Sequence, residues 1–148
     1  MDYDSAFQMA ASGMSAQRMR MNVIANNIAN ADSTVSAGGG PYRRRSVVFE
    51  AVGRAPRNPV RLDGGRAVGG GVRVAGVVEE RNDEKAFTLV YDPGHPQANA
   101  DGWVLKPNIQ VMAEMVNLLD ATRAFDANVT MLNNLRQIAA KALEIGRL

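Results

Sequence analysis

From Tyr3 onward, apolar residues recur at alternating spacings of four and three: Tyr3, Phe7, Ala10, Met14, Gln17, Met21, Ile24, Ile28 and Ala31, with only Gln17 polar. This is a heptad seam, and it predicts a helix about 43 Å long at the standard rise per residue. The run ADSTVSAGGGP, rich in Asp, Ser, Thr, Gly and Pro, ends it. A second seam starts after Pro107 and passes through Met115, Leu118, Thr122, Phe125, Val129 and Leu132. It then slips by one place and continues through Leu135, Ile138, Ala142 and Ile145. A slip of this kind locally changes the winding of a coiled helix. Val111, Met112, Val116 and Leu119 add apolar groups beside the stripe, so this helix is expected to be covered on more than one side, as in a bundle.

Between the seams, residues 34–108 hold most of the glycines and all six prolines, with β-branched runs at SVVFEAV, GVRVAGVVEE and AFTLVYD. These predict short strands joined by turns. The expected fold class is α+β: long N- and C-terminal amphipathic helices pair as a coiled coil or bundle around a small β-rich insert. The corresponding division is 1–33 for the N-terminal helix, 34–108 for a small β-rich middle with extended connectors, and 109–148 for the C-terminal helix. With few large side chains, the insert is expected to bury little core by itself.

The N-terminal helix carries Gly13 and an asparagine-rich ending, NVIANNIANAD, and both residue types are poor helix formers. Such a helix is marginal alone and gains its stability from packing. Asn22, Asn26 and Asn30 fall four apart and form a polar line beside Met21, Ile24 and Ile28. A buried line of amides, which donate and accept, fixes register between packed helices; an exposed one is a solvated face. The candidate assembly interface is therefore Met14, Met21, Asn22, Ile24, Asn26, Asn27, Ile28 and Asn30 on the first helix, with Leu118, Phe125, Val129 and Leu132 on the second.

Composition narrows the chemistry. The 148 residues are 46% apolar but only 5% aromatic, so packing relies on small side chains and flexible methionines rather than large rings. Cysteine is absent, which excludes disulfides, thiolate metal sites and a cysteine nucleophile. MDYDSAFQMAASGMS has neither a basic start nor a continuous apolar run and predicts no secretory signal. No stretch approaches the roughly 20 apolar residues of a membrane span.

The net charge is +2, but residues 34–75 hold eight arginines against Glu50 and Asp63. Arg43, Arg44 and Arg45 after Tyr42 raise the possibility of a phosphate-binding patch, yet no aromatics interleave and no nucleic-acid motif accompanies them. An exposed basic turn contacting acidic neighbours or a cell-wall layer is the preferred expectation. His95, the only histidine, lies three residues from Asp92 in DPGHPQA, but one imidazole without a cysteine cannot build the usual zinc set. Pro93, Gly94 and Pro96 predict a rigid turn there, and no nucleophile–base–orienter set is visible. The glycine clusters at 38–40 and 69–71 lack a phosphate-loop ending and are expected to be flexible joints. Asp120, Arg123 and Asp126 are expected to pair along one solvated helix face.

The stretch GMSAQRMRMNVIANNIANADS, Gly13–Ser33, resembles the N-terminal signature of bacterial flagellar axial proteins, those of the rod and hook. GGGPYRRRSVVFE, YDPGHPQANADGWVLKPNI and EMVNLLDATRAFDANVTMLNN resemble, more specifically and in the expected order, the flagellar basal-body rod protein C family of the proximal rod. Trp103 and Phe125 stand where tyrosine is usual, and Gln110 where asparagine is, each preserving size or character. The arginine- and glycine-rich stretch Ala51–Gly71 carries no family motif.

The resemblance implies a structural subunit, not an enzyme, with no cofactor, metal, nucleic acid or small-molecule substrate. Its implied partners are other copies of itself, neighbouring rod proteins, the adaptor protein joining the rod to the inner-membrane ring, and the flagellar type III export apparatus. It further implies export without a cleaved signal and assembly in the periplasm into a tube that transmits torque, with the terminal helices as an inner coiled-coil layer. The competing readings are another axial protein of the same tube, an arginine-dependent nucleic-acid module, and a hydrolase built on Asp92 and His95.

Overall fold

The computed structural model describes residues 3–36, 38–52 and 70–145. Most of the stretch 51–71, and Gly69 of the second glycine cluster, lie outside the described residues. Seven elements follow in order: α1 (Tyr3–Ala29), β1 (Arg45–Ala51), β2 (Val72–Glu79), α2 (Asp83–Ala86), β3 (Phe87–Tyr91), β4 (Trp103–Pro107) and α3 (Val111–Ile145). The fold is α+β, with long terminal helices pairing around a small insert of two two-stranded sheets, β1–β2 and β3–β4.

Two elements differ from expectation. β4, WVLKP, is not among the three strands expected from β-branched runs, since proline closes it and one aromatic opens it. It forms because β3 supplies an antiparallel partner in full register, from Phe87 opposite Pro107 to Tyr91 opposite Trp103. The single turn α2 forms because the Asn82 side chain accepts from the Glu84 N–H and caps it.

The described residues group into two compact units, each taken by itself. The first comprises the described residues within 1–19, 48–76 and 121–148. Among its described residues the buried apolar ones are alanines, Ala10, Ala16 and Ala121. Small side chains let the helix backbones approach closely, as at Gly13, where a Cβ would lie 2.9 Å from the Asn128 side-chain oxygen. The Arg18 guanidinium sits 5.9 Å from the centre of the Phe125 ring. Ser12 Oγ donates to the Met9 carbonyl and accepts from Val72 N–H at 3.1 Å, tying the start of β2 to α1.

The second unit comprises residues 20–47 and 77–120. Here larger groups are buried: Val23, Ile24, Tyr42 and Val104, with two polar side chains, Asn27 and Glu114, among them. The insert thus contributes Tyr42 and Val104 to a core built jointly with the helices rather than one of its own. The Gly38–Gly40 cluster closes a turn: Ser36 N–H donates to the Gly40 carbonyl at 2.8 Å and Gly39 N–H to the Ser36 carbonyl at 3.0 Å. The positive φ of Gly39 and Gly40 explains the residue choice, a fixed bend where a flexible joint was expected.

Candidate assembly surface and its buried polar junction

Asn27 occupies the last turns of α1 on the side facing the chain's interior and is fully buried. Its Nδ2 donates to the Arg45 carbonyl at 2.8 Å and to Glu114 Oε2 at 3.0 Å. Its Oδ1 accepts from Tyr42 OH and from Arg45 N–H, both at 3.0 Å. One amide thereby joins the end of α1, the connector before β1 and the start of α3, with its donors and acceptor all satisfied. Glu114, whose side chain is 3% exposed, completes the set: its Oε1 receives Arg44 Nη2 at 2.7 Å and Nε at 3.0 Å. A buried carboxylate needs such partners, because removing it from water without them costs several kcal/mol.

The Tyr42 phenol is pushed above its ordinary value, chiefly by burial. The Arg45 guanidinium opposes the rise, while Glu79 and Glu114 add to it. A raised value in the folded chain means that the folded state holds this proton more tightly than the unfolded one. The stabilisation is therefore complete below the unfolded value of 10.0 and is lost as pH climbs past it towards the folded value. Stability should fall above about pH 10 in pH-dependent denaturant titrations, and the fall should be shallower in Tyr42→Phe. An identical alkaline limb in both proteins would remove Tyr42 from this role.

The basic run is not a free patch. Arg43 pairs with Asp83 and lies 4.7 Å from the centre of the Phe87 ring, Arg44 pairs with Glu114, and Arg45 pairs with Glu79 at 2.6 Å. Three consecutive guanidiniums pair with acids 34 to 70 positions further along, Glu79 and Asp83 around the end of β2 and Glu114 at the start of α3, where the expectation was a basic turn left for neighbours. His95 is a turn-builder: its Nδ1 accepts from Gln97 N–H at 3.1 Å, and its own N–H donates to the Asp92 carbonyl. Among the described residues no group of three or more His, Cys, Asp or Glu could hold a metal, and no helix is long and apolar enough to cross a membrane.

The candidate interface residues separate by exposure. Ile24 is buried, whereas Met14, Met21, Ile28, Leu118, Phe125, Val129 and Leu132 are half-buried within the chain. On the asparagine line, Asn26 Nδ2 donates to the Asn22 carbonyl at 2.8 Å and Asn30 Nδ2 to the Asn26 carbonyl at 2.9 Å. These amides turn back onto their own helix, while Asn27, one place off the line, makes the long-range contacts. Asp120, Arg123 and Asp126 are all exposed.

Beyond these positions α3 leaves many large apolar groups in solvent: Met112 at 75%, Leu119 at 58%, Val116 at 55%, Met131 at 52%, Ile138 at 50% and Leu143 at 73%. The sequence reading missed two things here: the partners of Asn27, and the exposed side chains of the β3–β4 hairpin. Tyr42, Arg44 and Glu114 gave no local sign of a joint role. Glu114 inside the apolar run VMAEMV was the available signal, since a carboxylate there needs a partner if buried.

Against family models, residues 7–37 match the flagella basal body rod protein, and residues 100–145 match the C-terminal region of the flagellar basal body rod FlgEFG proteins. The chain is 44% identical over 141 residues to the flagellar basal-body rod protein FlgC of Salmonella typhimurium, covering 95% of this chain and 96% of that one. It is 40% identical over 148 residues to FlgC of Bacillus subtilis, covering 96% and 97% respectively. With FlgC of Borreliella burgdorferi it shares 37% identity over 150 residues, covering 95% of both chains. Similarity at this level covers at least 95% of the chain, which belongs to the FlgC family of flagellar basal-body rod proteins, structural subunits of the flagellar basal body rather than enzymes.

Proposed function

We propose that this chain is a subunit of the proximal rod that transmits torque across the periplasm, with α1 and α3 forming the inner coiled-coil layer. The observation that carries this reading is the series of large apolar side chains that α3 leaves uncovered in the single chain. A run of that length on a lone chain invites cover by neighbours. The half-buried residues Met14, Met21, Ile28, Leu118, Phe125, Val129 and Leu132 continue the contact, and Asn22, Asn26 and Asn30 set register against an adjacent helix. The partners are other copies, neighbouring rod proteins and the adaptor to the inner-membrane ring.

Export by the flagellar type III apparatus without a cleaved signal fits a helix of low intrinsic propensity, which unfolds easily and orders when neighbours supply the missing face. Stiffness under torque comes from many lateral contacts, each weak and together strong.

The test is complementation of cells lacking the chain. The native chain should restore rods and swimming. A variant carrying Ile138→Glu and Leu143→Glu, which alters exposed positions only, should keep the native melting temperature yet restore neither. Swimming cells with the doubly charged variant would sink the helix-face reading, and intact rods without any copy of the chain would sink the rod assignment.

A further inference from the structure

The β3–β4 hairpin has one face that the chain does not cover. The register puts Leu89 opposite Leu105 and Tyr91 opposite Trp103 on the same side of the two strands. They are 60%, 40%, 62% and 43% exposed, whereas on the opposite side Val104 is fully buried and its partner Val90 is 37% exposed. The patch they form is on the order of 400 Å², the size of the largest apolar patch on a soluble monomer, which is often functional.

The patch is held rigid. The Tyr91 and Trp103 rings meet edge to face with centres 5.3 Å apart. The loop between the strands is closed by Asp92 N–H on the Gly102 carbonyl, Asn99 N–H on the Trp103 carbonyl, and Asn99 Oδ1 accepting from both Asp101 and Trp103 N–H. Gly102, at φ +79°, passes so close to the Tyr91 ring that a Cβ there would lie 3.0 Å from it. Large aromatic anchors fixed before binding are what an energetically dominant contact consists of, because little side-chain freedom remains to be lost.

The same unit displays a second uncovered face of different character. Met112, Met115, Val116 and Leu119 follow the i, i+3, i+4, i+7 spacing of one helix face and are 75%, 48%, 55% and 58% exposed. Flexible thioethers adapt to aromatic edges, and sulfur–aromatic contacts are favourable. One rigid aromatic face and one flexible methionine face on a single chain are the two halves of a head-to-tail contact, in which one patch meets a different patch on the next copy.

We propose that the hairpin face of one copy seats on the Met112–Leu119 face of a second copy within the rod. This rests on the rod reading above. The patch is about half of the roughly 800 Å² per partner found in stable complexes. The contact therefore forms between subunits already held side by side, not as a dimer in solution.

The chain has no cysteine, so two engineered thiols report the contact without background. Leu105→Cys and Met115→Cys chains are co-produced in cells lacking the native chain, and basal bodies are treated with a short bis-maleimide. The expected product is the mixed dimer, several-fold above either homodimer and above the yield when Glu144→Cys replaces Met115→Cys. Leu89→Cys with Met112→Cys repeats the test should the first pair fail to build rods. Homodimers through Leu105→Cys, adducts only with a different rod protein, or no mixed dimer in rods of swimming cells would each overturn the proposal while leaving the rod reading intact. Swimming cells whose basal bodies lack the chain would overturn the rod reading itself.

Discussion

Replacing Asn27 by alanine should destabilise the chain by roughly 3–5 kcal/mol, far more than the loss of any other asparagine in the NVIANNIANAD run. The amide makes four hydrogen bonds at a fully buried position. Its removal leaves a carboxylate oxygen, a phenol, an N–H and a carbonyl each short of a partner in a place closed to water. A lost bond between exposed groups is largely replaced by water, but buried orphans carry their full desolvation cost. Asn26→Ala is the matched control. It deletes only a bond from an exposed side chain to its own helix, and alanine is the better helix former, so the change should stay within about 0.5 kcal/mol of zero. Trp103, the only tryptophan, lies in the same unit as Asn27 and gives a fluorescence signal for urea unfolding. Equal midpoints for the two variants would show that the junction contributes nothing special.

Gly102→Val should cost roughly 2–4 kcal/mol. A φ of +79° is uncommon for any residue with a Cβ and a true outlier for a β-branched one. The added carbon would also meet Tyr91 Cε2 at 3.0 Å, at the end of β3, and Pro93 Cβ at 3.1 Å, in the loop that follows. Relief would require the Tyr91 ring to turn away from Trp103 or the loop at Pro93 to shift. A lowered unfolding midpoint together with a changed near-ultraviolet circular dichroism band from the ring pair is the expected outcome. Native values of both would mean that the turn tolerates the strain and does not fix the aromatic face.

The helices were legible because their signal is local and repeated: seven-residue spacing over four turns or more leaves few alternatives. Three of the four strands were legible for the same reason, as β-branched runs between turn residues. β4 was not, since a five-residue strand ending in proline is specified by its partner across the hairpin and not by its own composition. The same divide separates the polar residues. Asn22, Asn26 and Asn30 announce themselves by spacing. The importance of Asn27 comes from Tyr42, Arg45 and Glu114, which no periodicity connects to it. The arginine run misled for a related reason: three cations in a row look like one patch until the fold brings each an acid from much later in the chain, Glu79, Asp83 or Glu114.

The bond from Asn27 to Glu114 spans 87 positions. Closing so wide a loop costs entropy that grows only as the logarithm of its length, but it cannot begin before both ends of the loop exist in the same space. A chain delivered residue by residue therefore holds Asn27 and Tyr42 in waiting, able to bond each other but not to seal the junction, until the start of α3 arrives. Fragments ending before Glu114 can never complete it, so the junction closes only once the chain extends into the first turn of α3.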